Sequence, residues 1–179
     1  MLNQTQNVRR RRTAKDCAFL AVFVAVVIAA QAVLSALPGI EIVTVLFVSY
    51  SFSVEAKRGM LAATVFSLLR QIIFGFFPNV LLLYLIYYNL LAYAFSRLGR
   101  NIKNPIKSLL IIVIAACLGT IFFFVLDSFL TPIWYGFSAR ATRAYVLASL
   151  PFMIPQVICT AVSVAILFCP LVKIFKIFL

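Results

Sequence analysis

Six apolar runs, bounded by turn residues or by charge, divide this chain. The first extends from about Asp16 to Ala36 and stops at Leu37-Pro38-Gly39, a turn signal. The second, Ile40 to Val54, is short for a membrane crossing, so it has to be tilted, shielded by neighbours or partly re-entrant. Glu55-Ala56-Lys57-Arg58-Gly59 reads as a turn, and a third run covers Met60 to Phe77 before Pro78-Asn79. A fourth covers Val80 to Phe95 and is followed by a basic loop with Arg97, Arg100, Lys103 and Lys107. The fifth spans Ser108 to Leu126. Residues Asp127 to Arg143, with Pro132, Trp134, Tyr135 and Gly136, read as an ordered outer loop carrying interfacial aromatics. The sixth runs from Ala144 to Pro170, where Pro151 and Pro155 predict a kink or a broken helix. The pattern predicts an all-α membrane protein, a compact bundle of six transmembrane helices forming a single domain over residues 16–179. A polar, basic segment over residues 1–15 precedes it and is expected to be disordered or surface-bound.

Composition sharpens this reading. Of the 179 residues, 65% are hydrophobic and 11% charged, against roughly 45–50% and about 25% in an ordinary soluble domain. The mean hydropathy of +1.12 leaves little sequence for an aqueous domain. The net charge of +12 would point to nucleic acid in a soluble protein. Here the basic residues instead fall before and between apolar runs. Arg9 to Arg12, Lys15, Lys57, Arg58, Arg97, Arg100, Lys103, Lys107, Lys173 and Lys176 share one side of a six-span topology, and only Arg140 and Arg143 fall on the other. The positive-inside rule therefore places both termini in the cytoplasm, in what is expected to be a bacterial plasma membrane. The basic start and long apolar run predict a signal anchor rather than a cleaved leader. Cys17, Cys117, Cys159 and Cys169 all lie within apolar runs without a CxxC pair, and read as small packing residues.

Against this apolar background the charges stand out. The chain has only four acidic residues, yet Glu41 and Arg70 fall inside membrane-length runs, both toward the outer side, with Asp127 at a comparable depth. An ionisable group at membrane depth is costly and usually lines a pathway or a cavity. Two readings stand side by side. Glu41 and Arg70 form a helix-clamping salt bridge, or they line a polar pocket open to the outside, to which Gln71, Asn79 and Asn89 add hydrogen-bonding groups. Arg70, Phe74 and Phe77 share a helical face by spacing, as do Tyr84, Tyr87 and Tyr88. These aromatics, with Trp134 and Tyr135, can stack on a flat ligand or form an interfacial belt.

Enzyme signatures are missing. The chain has no histidine, no paired acidic metal motif and no P-loop. A binding protein without a cofactor is expected rather than an enzyme. The first run carries Ala14, Ala18, Ala21, Ala25 and Ala29, small residues at helical spacing that let another helix approach closely.

The six-run layout, the basic N-terminus, the alanine face and the segment Ala32-Val33-Leu34-Ser35-Ala36-Leu37-Pro38-Gly39-Ile40-Glu41-Ile42-Val43 together resemble the substrate-binding S component of an energy-coupling factor (ECF) transporter. Phe76-Phe77-Pro78-Asn79 adds a weaker local likeness. The resemblance implies a small membrane receptor that binds a water-soluble organic micronutrient, a vitamin or a precursor, from outside. It implies partners too: a transmembrane coupling subunit and two ABC-type ATPases, with the alanine face as the docking surface. A different class of protein has a similar size and span count, the rod-shape-determining membrane proteins of cell-wall assembly. For such a non-transporting scaffold, Glu41 and Arg70 would be the structural clamp.

Overall fold

The computed structural model describes residues 2–36, 40–102 and 104–178, with side chains from Ala14 onward. The turn at Leu37-Pro38-Gly39, Lys103 of the basic loop and the side chains of Arg9 to Arg12 lie outside the described residues.

Six helices follow one another: α1 (Leu2–Leu34), α2 (Val43–Ser53), α3 (Ala56–Phe74), α4 (Pro78–Asn101), α5 (Leu109–Tyr135) and α6 (Ala139–Phe178). Four of them are long and apolar enough to cross a membrane: the Ala14–Leu34 stretch of α1, and α4, α5 and α6. At 1.5 Å per residue the 11 residues of α2 cover only about 16 Å, half of a hydrocarbon core of ~30 Å. Helix α2 by itself is therefore too short to fill the thickness of a membrane, in keeping with a second run that has to be shielded by its neighbours. Every residue of α2 from Val43 to Phe52 is buried, and α2 packs against all five other helices. A helix that is apolar on all sides needs such a position. It is the axis of the bundle, shielded by its neighbours.

Several boundaries differ from the sequence reading. The backbone of residues 2–15 is helical and continuous with the first crossing, not disordered. Helix α3 ends at Phe74, where Gly75 takes φ +99°, a conformation that side chains with a Cβ resist. Phe77 thus leaves the face shared by Arg70 and Phe74 and is exposed. The expected outer loop is mostly helix. Asp127 to Tyr135 extend α5, and only Gly136 to Ser138 connect it to α6. Gly136, at φ +63°, closes α5 in the left-handed conformation, with the Phe137 N–H donating to the Pro132 carbonyl at 2.9 Å. The polar residues Asp127 and Thr131 stay helical because they satisfy one another, the threonine hydroxyl donating to the carboxylate at 2.7 Å. Helix α6 continues unbroken through Pro151, Pro155 and Pro170. In a bundle, neighbouring helices and local adjustments compensate the hydrogen bonds that proline removes.

Aromatic rings knit the axis to its surround. Phe23 stacks on Tyr50 at 4.0 Å, Phe52 meets Phe168 edge-on at 5.1 Å, and Phe47 contacts Phe66 and Tyr88 at 5.1 and 4.7 Å. At one end, α2 and α4 touch backbone to backbone. A Cβ on Gly99 would lie 2.2 Å from the Phe52 carbonyl oxygen, so only glycine fits. Beside it the Ser96 hydroxyl donates to the Ser51 carbonyl at 2.8 Å. The Asp16–Arg58 ion pair, 2.8 Å long, ties α1 to α3 at this same end. It is the basic end of the molecule, and α2 reaches it. The opposite end is where α2 stops short.

Candidate functional site: a polar cavity over the central helix

Because α2 is much shorter than its neighbours, its N-terminal end stops inside the bundle. A cavity of about 290 Å3 lies over it, and both Glu41 and Arg70 line that cavity. Glu41 sits in the irregular segment that leads into α2. Its carboxylate accepts from the Thr44 hydroxyl at 2.9 Å and from the Gln156 amide of α6. Its backbone N–H donates to Cys159 Sγ at 3.3 Å, which fixes the segment against α6. A carboxylate beside the first turn of a helix is also favoured by the partial positive charge of that end.

Arg70 comes from the C-terminal half of α3. Its guanidinium carbon lies 4.4 Å from the centre of the Tyr84 ring and 5.3 Å from that of Phe74, cation–π distances. Its Nε is buried and has no hydrogen-bond partner. Among the described residues the only ion pair is Asp16–Arg58, so none joins Glu41 to Arg70. The two charges face the same cavity from different walls without neutralising one another. A direct salt-bridge clamp is not what this geometry contains.

The i, i+3, i+4 spacing of Tyr84, Tyr87 and Tyr88 on α4 turns all three toward the cavity, and all are buried. Phe123 of α5 meets Tyr84 and Tyr87 at 5.9 and 4.9 Å, and Tyr84 and Tyr88 lie 5.2 Å apart. Below them Tyr88 rests on Phe47 of α2. The aromatic wall is thus continuous with the core, which holds its rings in place.

Four further lining residues escaped the sequence reading: Gln31, Thr120, Phe123 and Gln156. Gln31 on α1 donates from Nε2 to the Tyr84 hydroxyl at 3.2 Å, while its Oε1 is buried without a partner. Thr120 shares a hydrogen bond of 3.0 Å with Thr160 across α5 and α6. The signal for the two glutamines was present: each is an uncharged polar residue inside an apolar run, the same anomaly that marks Glu41.

Other expected site residues lie elsewhere, all but Trp134 with a local hydrogen-bond partner. The Gln71 side-chain carbonyl accepts from the Phe77 N–H at 3.0 Å and secures the α3–α4 turn. Asn79 accepts from the Tyr135 hydroxyl at 3.4 Å, joining the N-terminal end of α4 to the C-terminal end of α5. Asn89 bonds to Thr64 at 3.2 Å on the side of α4 that faces α3. Asp127 accepts from Thr131 and, at 2.5 Å, from Tyr145 of α6. Trp134 is half exposed at the C-terminal end of α5, a position that suits an interfacial anchor. None of these five lines the cavity. Ala14, Ala18, Ala21, Ala25 and Ala29 are all exposed, on the side of α1 opposite the buried Phe23, Val24, Val27 and Ile28.

Compared with known protein families, curated proteins and solved structures, the chain matches none. Helix length and hydropathy make it a multi-pass membrane protein. Its function has to be argued from the cavity itself.

Proposed function

We propose that this chain is a substrate-binding membrane subunit that captures a small water-soluble organic solute from the outside for uptake by ATP-hydrolysing partners. This is the role that the resemblance to ECF S components implies. The observation that carries the proposal is the pair of opposite charges, Glu41 and Arg70, unpaired with each other in one aromatic-walled cavity. Ionic groups at this depth are unfavourable unless something compensates them. A bound polar solute is that compensation. A volume of about 290 Å3 falls at the lower end of the ~300–1,000 Å3 range of small-molecule sites, which suits a compact nutrient.

The remaining features fit the same role. The cavity lies in the half of the bundle away from the basic end, the half that the positive-inside rule assigns to the exterior. The sequence shows no P-loop, so ATP-driven uptake would draw on partners that carry a nucleotide-binding fold. The exposed alanine stripe on α1 gives a coupling subunit a surface for close helix approach. In this role the solute is bound and released unchanged.

Affinity purification from the native membrane tests the proposal. A transmembrane coupling subunit and two ABC-type ATPases should co-purify, and the reconstituted assembly should show ATP-dependent uptake. Purification of the chain without these partners, with no compound of a vitamin and vitamin-precursor panel raising its melting temperature, would overturn it.

A further inference from the structure

We infer that the captured solute is a zwitterion, one compact molecule that carries an anionic group for Arg70 and a cationic group for Glu41. The inference rests on the capture reading above and names its substrate class. Its basis is the inventory of donors and acceptors left free at the cavity. On one wall, the Arg70 guanidinium is held over Tyr84 and Phe74, and its buried Nε–H has no acceptor. An anionic oxygen is the partner that satisfies a guanidinium best. On the other side, the Glu41 carboxylate accepts from Thr44 and Gln156. These donors are neutral, and no cation lies within ion-pair distance of the carboxylate among the described residues, so a cationic donor is the partner it lacks. The buried Oε1 of Gln31, also without a partner, is a second acceptor at the same cavity.

The charge balance decides among solutes. A neutral solute leaves both ions uncompensated, and a singly charged one leaves one of them buried without a counter-charge. Only a molecule with both signs satisfies the two walls together. The two groups are not within ion-pair distance of one another, so the solute has to hold its own charges apart. The rings of Tyr84, Tyr87 and Phe123, which line the same cavity, suit an apolar or aromatic body.

Matched probe sets test this on the purified wild-type protein in detergent, alongside mass spectrometry of the small molecules it retains. Each set holds an amino acid, its decarboxylated amine and its deaminated acid: tryptophan, tryptamine and indole-3-propionate; histidine, histamine and imidazole-4-propionate; 3-pyridylalanine and its two halves. The expected result is that at least one zwitterion raises the melting temperature and that both its halves bind at least ten-fold more weakly. In the Arg70→Gln protein that zwitterion should bind no better than its amine, and in the Glu41→Gln protein no better than its acid. A retained natural compound carrying both charges supports the inference equally. Halves that bind as well as the parent, or a retained compound with a single charge or none, would overturn the zwitterion and leave the capture reading standing. No binding in any set together with no retained compound would overturn both.

Discussion

At the scale of residues, the site works through side chains that cannot satisfy each other. Glu41 and Arg70 share a cavity without an ion pair. Replacing Arg70 by Met or Glu41 by Gln should therefore weaken solute binding about 10–100-fold, the equivalent of ~1.5–3 kcal/mol for a hydrogen bond to a charged group. The folded bundle should survive both changes, which calorimetric titration and thermal melting in detergent would establish. Asp127→Asn and Trp134→Ala should leave affinity within about twofold, because Asp127 answers to Thr131 and Tyr145 and Trp134 faces outward. Six of the lining residues could be read from the sequence: Glu41 and Arg70 because charge is anomalous in an apolar run, and Phe74, Tyr84, Tyr87 and Tyr88 because their spacing puts them on shared helical faces. Gln156 carried the same mark, a polar residue in an apolar run, but its pairing with Glu41 could not be read, since it joins positions 115 residues apart and depends on the register of α6 against α2. Asp127 was drawn toward the site by depth alone, and depth does not say which way a side chain faces.

At the scale of elements, the decisive feature is the length of α2. An 11-residue helix among helices of 19 to 40 residues cannot fill the axis of the bundle, and the cavity occupies what it leaves. The shortness of this segment was legible in the chain; its complete burial was not, because burial depends on five other helices closing around it. The contact that positions α2 is its close approach to Gly99. Gly99→Ala would press a methyl group against the Phe52 carbonyl and should destabilise the protein by about 1–3 kcal/mol, read as a lower melting temperature with the helical circular-dichroism signal retained. Helix α1 makes the opposite prediction. Ala21→Leu or Ala25→Leu enlarges an exposed face, so stability and solute binding should be unchanged while uptake by the assembled transporter falls to background. Loss of binding in either variant would mean that this face packs within the bundle. The length of α5 escaped the sequence reading because Pro132, Gly136 and the polar residues near them carry the marks of a loop, whereas the helix runs on to Tyr135.

At the scale of the whole molecule, charge and shape point the same way. The Asp16–Arg58 pair and the α2–α4 contact close the basic end, and the cavity lies toward the other. Single cysteines placed at Ser138 and Asn104 in a background lacking the native thiols should label from opposite sides of the membrane, Ser138→Cys from outside. The membrane class and the number of helices were legible from hydropathy and turn residues, since those properties are local. The enclosure of a polar cavity was not, because it arises only when residues from all six helices meet. The most direct test of its role is mass spectrometry of small molecules retained by the purified wild-type and Arg70→Met proteins, both shown to be folded. A small polar organic compound should be retained by the wild type and lost from the variant. An empty wild-type protein, or the same compound retained equally by both, would contradict the cavity as a solute-capture site.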